Sequence, residues 1–588
     1  MSTTAANAEF WDHARQQLAG LPGGGVNIAH EAVTRHATDP QRADRPALRF
    51  ARRDGSTQTW TYAEFETRSN QAAHALARLG VRRGDRVFTA LGRVPELYQS
   101  AIATWKLGAV FCPMFAAFGP EPLHQRLSIG RGQVLITTSA IHRGRIEPQR
   151  SQLPDLRHVL CVDPPPTNAP GALDFHEHCD GAPADPAMAA TGPSDPAIIH
   201  FTSGTTGTPK GALHVHEAVV AHRATAITAL GLRPDDVVWC TADPGWVTGT
   251  SYGIIAPLSL GATMVVDEGE FDAERWYELL VRERVNVWYT APTAIRMLMR
   301  VGTEVAHAHT NQYGQFPDLR FIASVGEPLA ASAVQWGVEA LGQPIHDNWW
   351  QTETGGIMVA NGPDEDVVPG SMGRPLPGVA AGVLSVDDDG NVRLDAQGGA
   401  IELGPGETGM LALRPGWPSQ FRAYLDQTER YAACFSADGR WYLSGDLVSW
   451  DHSGHLFFVG RADDVIKSAG HLIGPFEVEQ VLVAHPKVSA AGVFGKPDAL
   501  AGAIVKAVVV PKAGIEPDDA LRRELMAHAR RQLGPAVAPR EIAFAESLPQ
   551  TRSGKILRRV LKARELGLPE GDLSTLEPAP TAAPAVAP

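Results

Sequence analysis

The stretch FTSGTTGTPKG at residues 201–211 joins a run typical of a buried strand to a loop of glycines and hydroxyl residues. Glycines let backbone N–H groups approach phosphate oxygens, hydroxyl side chains add donors, and Lys210 adds a positive charge. An apolar run over 213–230 predicts a helix after the loop. No Lys-Ser/Thr pair stands at Walker A spacing. The stretch therefore predicts a phosphate-binding loop between a strand and a helix, and the alternative is a flexible polar turn.

Outward from this loop, short apolar or β-branched runs alternate with amphipathic stretches. The runs predict strands at 197–202, 237–241, 263–266, 285–290 and 320–326, and helices at 213–230 and 273–284. Near-continuous apolar strands with helical crossovers favour a largely parallel sheet that is covered on both faces. The predicted class is α/β, with a large N-terminal domain of mixed sheets.

The pattern of predicted elements changes towards the C-terminal end. After about residue 375, short strands among Gly, Asp and Pro predict a β-rich subdomain, and a small α+β domain is predicted after GRADD (460–464). The last residues are rich in Pro and Ala, which predicts a disordered tail. The predicted organisation is an N-terminal extension at 1–25, a main domain at 26–462, a C-terminal domain at 463–566 and the tail at 567–588.

Composition restricts the class of function. The chain has 588 residues, of which 44% are hydrophobic and 20% charged, with no apolar run that could span a bilayer. It carries 52 Lys plus Arg against 65 Asp plus Glu, a net charge of −13, which argues against nucleic-acid binding. Five scattered cysteines without a CxxC pair, and an N-terminus without a signal sequence, predict reduced thiols in the cytoplasm.

His214, His216 and His222 lie within the predicted helix, and the His-x-His pair at 214 and 216 could suggest a metal site. A helix turns by about 200° over two residues, so these two side chains are expected to point apart. No metal site is predicted at this pair.

Four segments stand in the order typical of one superfamily: TSGTTGTPKG (202–211), WWQTETGG (349–356), YLSGDL with GRADD (442–447 and 460–464), and LPQTRSGKILRR (548–559). Together they resemble the adenylate-forming superfamily of acyl-CoA synthetases, nonribosomal peptide adenylation domains and luciferases. DPGWVTGTSYG (243–253), SVGEPL (324–329), GWPS (416–419) and GPFEVE (474–479) resemble AMP-forming acetyl-CoA synthetases, especially the shorter bacterial ones. The resemblance covers about residues 26–566.

The resemblance implies a two-step reaction with ATP, Mg²⁺ and CoA. A carboxylate attacks the α-phosphate of ATP to give an acyl-adenylate and pyrophosphate, and the CoA thiolate then displaces AMP. Acetate is the expected acid and propionate the second choice. The alternatives are a propionyl- or medium-chain acyl-CoA synthetase, or an adenylate-binding protein that is impaired in CoA transfer. No nucleic-acid or membrane partner is expected.

The resemblance also implies the residues that bind the nucleotide, the metal and CoA. The residues carried over for ATP and CoA are Thr202, Ser203, Gly204, Thr205, Thr206, Gly207, Lys210, Gly326, Glu327, Pro328, Asp347, Asn348, Trp349, Gln351, Thr352, Asp446, Arg461 and Gly470. Asp446 is expected to accept hydrogen bonds from both ribose hydroxyls, and Arg461 to contact the ribose or the phosphates. A surface salt bridge is the alternative for Arg461. Glu353 is expected to serve catalysis by helping to hold Mg²⁺.

Lys555, in TRSGKI, is the expected catalytic cation of the adenylation step. Its charge stabilises the transition state most, because negative charge builds up there between the carboxylate and the α-phosphate. In the family the C-terminal domain swings after adenylation, and Asp463 matches the hinge while Gly470 borders the pantetheine tunnel. A lysine acetyltransferase that acetylates Lys555 would remove this positive charge, and a deacetylase would restore it.

Four residues match the acetate pocket of acetyl-CoA synthetases: Val247, Thr248, Val325 and Trp350. An indole across the pocket leaves room for one or two carbons, so short acids are predicted. One feature departs from the family pattern, since Leu472 stands where an arginine usually approaches the phosphates. That replacement forfeits a charge-assisted hydrogen bond of roughly 1.5–3 kcal/mol, unless His471 or another basic group compensates.

Overall fold

The computed structural model describes residues 3–164, 171–202, 209–310, 315–387, 390–462, 464–468, 471–498, 502–551, 555–571, 573 and 576. The chain divides into two units, of which the first comprises residues 1–204, 208–381 and 413–442. The second comprises residues 205–207, 382–412 and 443–588.

The described strands fall into three groups along the chain. The first group is β1 (Pro46–Ala51), β2 (Thr57–Thr61), β3 (Arg86–Leu91), β4 (Val110–Phe115), β5 (Val134–Thr137), β6 (His158–Cys161), β7 (Ala172–Asp174), β8 (Pro196–Thr202) and β9 (Lys210–Val215). The second is β10 (Val237–Cys240), β11 (Thr263–Asp267), β12 (Val287–Thr290), β13 (Phe321–Ser324), β14 (His346–Trp349), β15 (Val359–Ala360), β16 (Arg374–Pro375) and β17 (Ala381–Leu384). The third is β18 (Thr408–Leu413), β19 (Ala423–Tyr424), β20 (Tyr442–Trp450), β21 (Leu456–Arg461), β22 (Ile466–Ser468), β23 (His471–Ile473), β24 (Val488–Asp498), β25 (Gly502–Pro511) and β26 (Glu541–Phe544).

The described α-helices fall into two groups. The first group is α1 (Thr3–Gln16), α2 (Arg35–Ala37), α3 (Tyr62–Arg78), α4 (Pro95–Lys106), α5 (Pro120–Ile129), α6 (Ser139–Ile141), α7 (Phe175–Asp180), α8 (Ala218–Leu230) and α9 (Val247–Thr250). The second is α10 (Ala256–Leu260), α11 (Ala273–Arg282), α12 (Pro292–Val301), α13 (Thr303–His307), α14 (Ala331–Leu341), α15 (Thr428–Ala432), α16 (Pro475–Val483), α17 (Asp519–Leu533) and α18 (Arg558–Leu566). Wider π-helical turns occur at His30–Thr34, His142–Ile146 and Ser251–Ile255.

The first unit contains a nine-stranded sheet in the order β16-β15-β14-β13-β12-β10-β11-β1-β2. The strands from β1 through β11, β10, β12 and β13 to β14 pair in parallel, and their residues are largely buried. The apolar runs predicted β10, β11, β12 and β13, whereas β1 and β14 were not predicted. The carboxyl ends of β10, β12, β13 and β14 meet at one edge. Each of these four strands leads directly into a segment that carries predicted site residues or their partners.

The second sheet of this unit has the order β19-β9-β8-β4-β3-β5-β6-β7. Here the structure corrects the sequence analysis, because β8 is followed by the antiparallel strand β9 and not by a helix. Thr202 pairs with Lys210, so β8 and β9 are adjacent antiparallel strands that are consecutive along the chain. The helix expected over 213–230 begins only at Ala218. The phosphate-binding interpretation therefore loses the helix N-terminus and rests on backbone N–H groups, hydroxyls and Lys210.

The same correction overturns the reason for rejecting a metal at His214 and His216. Residue 214 lies in a strand and residue 216 directly follows it, so the expected 200° separation does not apply. Each ring has its own partner: His214 Nδ1 lies 3.1 Å from the Ser419 carbonyl oxygen, and His216 Nδ1 accepts a hydrogen bond from the Ile28 N–H. Within the described ranges, no group of three or more metal-ligating side chains is present.

The second unit contains two smaller sheets. One has the order β17-β18-β20-β21 and corresponds to the β-rich region expected after residue 375. The other has the order β23-β22-β25-β24, with β26 paired to β25, and α16 and α17 pack their apolar residues against it. The α/β fold class is confirmed, with a large body of mixed sheets and a small α+β C-terminal part.

The N-terminal extension contains α1, which packs within the first unit. Trp11 is buried, and its indole N–H donates a 2.7 Å hydrogen bond to the Gly378 carbonyl. A Cβ at Gly378 would collide with the rings of Phe10 and Trp11, and φ there is +84°. Among the helices described, none is long and apolar enough to cross a membrane.

Candidate functional site

The side chain of Trp350 follows directly after β14 and is fixed by two tyrosines from other segments. Its indole N–H donates a 3.1 Å hydrogen bond to the Tyr289 hydroxyl, which lies 3.0 Å from Asn348 Oδ1. The Tyr252 ring packs edge-on against the indole, with centroids 5.1 Å apart at 71°. Trp350 is only 8% exposed. These contacts hold the indole in one orientation at the carboxyl edge of the sheet.

Tyr252 is itself fixed on both sides. Its hydroxyl accepts a 2.7 Å hydrogen bond from the Ile357 N–H and lies 2.6 Å from Thr225 Oγ1. The Thr225 hydroxyl donates to the Ala221 carbonyl, so Tyr252 acts as the donor in the pair. Burial raises the pKa of both Tyr252 and Tyr289 far above the usual value, which keeps the two hydroxyls neutral.

The other three predicted pocket residues lie on neighbouring segments of the same unit. Val325 is buried directly after β13, and its N–H bonds to the Thr290 carbonyl at 3.1 Å. Val247 and Thr248 are half-buried at the start of α9. Thr248 stands four residues before Tyr252 in a continuous helical segment, which puts the two on one face. The expected acetate-pocket residues thus come from the ends of β13, β14 and the segment after β10.

The loop QTETGG (351–356) is held by hydrogen bonds to its backbone. The Thr354 carbonyl accepts bonds from Trp417 Nε1 at 2.8 Å and from Ser419 Oγ at 2.7 Å. The Gly355 carbonyl lies 2.7 Å from His222 Nε2. Gly355 has φ +69°, and a Cβ there would collide with the Ser419 carbonyl, so the turn requires glycine. This framework gives the loop that carries Glu353 a fixed shape.

Glu353 lies beside the lysine of the predicted phosphate loop. The Tyr424 hydroxyl donates a 2.6 Å hydrogen bond to Glu353 Oε1, and Lys210 Nζ lies 5.1 Å from the centre of the Tyr424 ring. Burial and the neighbouring carboxylate raise the pKa of Tyr424. Glu353 Oε2 accepts no hydrogen bond within the described part of the chain, and it is a hard oxygen ligand that suits Mg²⁺.

Two of the remaining residues predicted to bind the nucleotide, Glu327 and Gln351, are held by other side chains of the same unit. Glu327 accepts hydrogen bonds from Thr293 Oγ1 at 2.7 Å and from Arg296 at 2.6 Å, and Gln351 Oε1 accepts one from Tyr442. Gly326 has φ +97° with open space beside it, and Pro328 is half-buried. Trp349 is buried within β14, and Thr352 is half-buried in the loop that follows.

Asp347 is a buried carboxyl group that braces the segment 324–329. Its Oδ1 accepts a 3.2 Å hydrogen bond from Ser324 Oγ, and its Oδ2 accepts a 3.3 Å bond from the Leu329 N–H. Burial raises the pKa of Asp347 to about 7, and these two donors only partly offset it. The side chain of Asp347 therefore positions the segment that contains Gly326 and Glu327.

In the second unit, Asp446 and Arg461 lie opposite each other on β20 and β21. Arg461 Nη1 donates a 3.1 Å hydrogen bond to Asp446 Oδ1, and the carboxylate is buried while the guanidinium is partly exposed. Gly445, with φ +70°, leaves room for that guanidinium. The two residues expected to bind ribose are thus one ion pair, and its oxygens and N–H groups are already oriented.

Lys555 is exposed and is held through its main chain. Its N–H donates to Thr551 Oγ1 at 3.1 Å, and its carbonyl accepts from the Thr551 N–H at 2.8 Å. No carboxylate in the described part of the chain forms an ion pair with its ammonium. Seven expected site residues lie outside the described residues: Ser203, Gly204, Thr205, Thr206, Gly207, Asp463 and Gly470. The side chain of Leu472 also lies outside the described part of the structure.

Several functional neighbours were missed by sequence reasoning. Tyr289 and Tyr252 hold Trp350 from 61 and 98 positions earlier in the sequence, and Tyr424 holds Glu353 from 71 positions later. Tyr289 lay in a predicted buried strand, where a tyrosine needs a partner for its hydroxyl, and that was the available signal. His222 was considered only as a metal ligand, and nothing in the sequence signalled its contact with the Gly355 backbone carbonyl.

Comparison with known families and proteins gives matches over most of the chain. A family model described as AMP-binding enzyme matches residues 34–424, and the AMP-binding enzyme C-terminal domain matches residues 477–555. An acetyl-coenzyme A synthetase of Bacillus subtilis is 42% identical over 570 residues, which cover 96% of this chain and 95% of that protein. One from Methanothrix thermoacetophila is 37% identical and covers 94% of this chain and 85% of its own length.

Solved structures show the same fold. An anthranilate CoA ligase in complex with anthranoyl-AMP matches with a TM-score of 0.80 at 28% identity, covering 94% of this chain and 99% of that one. An acyl-CoA synthetase of Brucella canis matches with a TM-score of 0.71 at 34% identity, covering 96% of this chain and 98% of its own. Both likenesses extend over almost the whole chain.

Proposed function

The chain belongs to the family of AMP-binding enzymes, and from this premise we propose that it is an acetate:CoA ligase that forms AMP. In the first step, a carboxylate oxygen of acetate attacks the α-phosphorus of ATP, and pyrophosphate leaves. The product is acetyl-AMP. In the second step, the CoA thiolate attacks the acetyl carbonyl carbon, and the bond to the phosphate oxygen breaks to release AMP and acetyl-CoA.

One observation carries the choice of acetate, namely the fixed orientation of Trp350. An indole that is hydrogen-bonded to Tyr289 and packed against Tyr252 cannot swing away to admit a longer acid without leaving buried polar groups unpaired. Discrimination against propionate is expected to be modest, because one methylene is worth about 1–3 kcal/mol.

The adenylation step needs positive charge around the triphosphate in a protein with a net charge of −13. We assign this charge to three sources: the Mg²⁺ that arrives with ATP, Lys210 beside Tyr424, and Lys555. Glu353 is the proposed ligand of Mg²⁺, with Tyr424 orienting its Oε1. Asp446 is the proposed acceptor of the ribose hydroxyls, and Arg461 holds its carboxylate in place.

The test of the function is acyl-CoA formation with ATP, Mg²⁺ and CoA across acetate, propionate, butyrate and hexanoate, with pyrophosphate release followed in parallel. We expect acetate to give the highest kcat/KM, with AMP as the nucleotide product. A preference for butyrate or hexanoate would retain the chemistry and refute the role of Trp350. Pyrophosphate release without acyl-CoA would identify a protein that forms the adenylate and fails in CoA transfer.

We further propose that acetylation of Lys555 switches off the first step, with a lysine acetyltransferase and a deacetylase as partners. The ammonium is exposed, and an acetyl group would remove its charge. Enzyme acetylated at Lys555 should lose acetate-dependent pyrophosphate exchange and keep the conversion of added acetyl-AMP to acetyl-CoA. Unchanged exchange would contradict this proposal. The boundary at residue 463, the movement of the C-terminal domain and the cytoplasmic location stay predictions.

A further inference from the structure

A cavity of about 330 Å³ lies in the first unit, lined by residues from the region after α1, from α2, from α8 and from α10. Three arginines border it: Arg35, Arg42 and Arg223. They come from segments nearly 190 residues apart in the sequence, so only the fold brings them together. This convergence concentrates positive charge at one place in a chain whose net charge is −13.

Arg223 is the least satisfied of the three. Its Nε is buried and has no hydrogen-bond partner, and no described carboxylate forms an ion pair with its guanidinium. Burial lowers the pKa of Arg223, and the positive charge of Arg35 lowers it further. The side chain as a whole is half-buried, and a partly desolvated guanidinium beside a like charge is stabilised when an acceptor pairs with it.

The nearby carboxylates do not supply that acceptor. Glu31 is fully buried and is already bonded to the N–H groups of Ala19 and Gly20 and to Arg35. Asp39 also lines the cavity, is partly exposed and forms an ion pair with Arg42 at 3.7 Å. Positive charge therefore exceeds negative charge in the part of the cavity that Arg223 borders.

The fourth basic group at the cavity is neutral. Burial lowers the pKa of His36 to about 3, and its Nε2 is buried without a hydrogen-bond partner in the described structure. A neutral imidazole can offer one N–H donor to a ligand oxygen. On the other side, a Cβ at Gly261 would collide with both Arg42 and His36, and φ there is +82°. Glycine at 261 is thus what allows these two side chains to reach the cavity.

This cavity is separate from the candidate site around QTETGG. His222, which bonds to the Gly355 carbonyl, and Arg223 are adjacent on α8, and one residue turns a helix by about 100°. The two side chains therefore leave the helix in different directions, one towards the site loop and the other towards the cavity.

From these observations we propose that the cavity is a second anion site, which binds a phosphate group with two negative charges through Arg223, Arg35 and Arg42. Guanidinium groups match phosphate oxygens in a two-point geometry, and Arg35 and Arg42 from one segment would surround one phosphate together with Arg223 from α8. The source is either inorganic phosphate or a small phosphomonoester, and a volume of about 330 Å³ accommodates both.

The test is calorimetric titration of the full-length protein with inorganic phosphate and, separately, with glycerol 3-phosphate. Each titration is run with and without a non-hydrolysable acetyl-adenylate mimic, which keeps phosphate out of the catalytic site. We expect binding that persists with the mimic and that weakens by about tenfold to hundredfold in Arg223→Met. Arg53→Met is the matched control, because Arg53 is 67% exposed and pairs with Glu270 at the surface.

The ligand that binds more tightly, inorganic phosphate or glycerol 3-phosphate, identifies the source of the phosphate group. Absence of binding to the wild-type protein, or equal binding by wild type and Arg223→Met, would refute the second site. Arg42→Met serves in the same way if Arg223→Met does not fold. Failure of the mimic itself to bind would count against the proposed ligase function and not against this cavity, so the two outcomes are distinguishable.

Discussion

Trp350 is 8% exposed and is held by partners from two other segments, whereas Lys555 is exposed and is held only through its main chain. Both are proposed parts of one reaction. In the proposed reaction the indole limits the length of the acid in every catalytic cycle, which suits its buried and hydrogen-bonded surroundings. The proposed role of the lysine is to supply charge only while the adenylate forms, so a fixed environment would give it no advantage.

The contrast indicates where each kind of residue can be found in such a protein. A specificity residue needs partners that prevent it from moving, and those partners are themselves held in place, as Tyr252 is by Ile357 and Thr225. A residue that stabilises a transient charge needs a side chain that can approach it and a charge of its own. Substitutions should therefore affect the two regions in different ways, in rate at one and in selectivity and stability at the other.

The largest effect is expected for Lys555→Gln. Loss of a cation that acts on the developing charge should lower the rate of acetate-dependent pyrophosphate exchange by about 10²–10³-fold. Stability should change little, because the side chain is exposed. The control measurement is formation of acetyl-CoA from added acetyl-AMP, which should stay near the wild-type rate. If both half-reactions fell equally, Lys555 would not be specific to adenylation.

The second effect is a change of substrate. Trp350→Gly removes the indole, so butyrate and hexanoate should become better substrates than acetate, by about tenfold or more in kcat/KM. The measurement is acyl-CoA formation across the four acids. Trp349→Gly is a matched comparison from the adjacent buried position, and it should not move the preference towards longer acids. The same chain-length profile in wild type and Trp350→Gly would remove Trp350 from the pocket.

A smaller effect is expected for Tyr289→Phe, which removes the hydroxyl between Trp350 and Asn348. Two buried polar groups would lose their partner, and the free energy of unfolding should fall by about 1–3 kcal/mol. The matched control is Tyr277→Phe, because the Tyr277 hydroxyl is buried without a partner in the described structure. That control should be neutral or stabilising. Equal losses in both variants would show that the bonds to Tyr289 do not matter.

The smallest effect concerns pH. Asp347 has a pKa of about 7 in the folded protein, above the value near 4 of an unfolded aspartate, so the folded state binds more protons between these values. Its contribution to stability is present at low pH and is lost as the pH rises to about 7. Asp347→Asn should therefore lose less stability than wild type between pH 5 and pH 8 in denaturant unfolding. Buried histidines affect both proteins alike and cancel in the comparison. Parallel curves would contradict the raised pKa.

Much of the fold could be predicted from the sequence, because β8, β10, β11 and β12 are apolar runs that are buried where such runs were expected. The hairpin of β8 and β9 could not be predicted from the sequence. The run from residue 213 is apolar enough for a helix or a buried strand, and periodicity does not separate the two over so few residues. The pairing of β9 with β8 and β19 decides it, and that is a tertiary interaction.

The candidate site divides in the same way. Residues within ordered motifs, such as Glu353, Asp446 and Lys555, could be predicted because each motif is local in the sequence. The partners that orient them could not, with the exception of Arg461, which lies opposite Asp446 in a simple strand pair. Tyr424 reaches Glu353 across the fold, and the three arginines of the cavity share no motif.

The contact between Trp11 and Gly378 also constrains the order in which the chain folds. The two residues are separated by 367 positions, so the hydrogen bond cannot form until well over half of the protein has been synthesised. Until then the buried indole N–H of Trp11 lacks the acceptor that it has in the folded protein. A chain interrupted before residue 378 would therefore keep this donor unpaired, which favours incomplete packing of the N-terminal helix and aggregation.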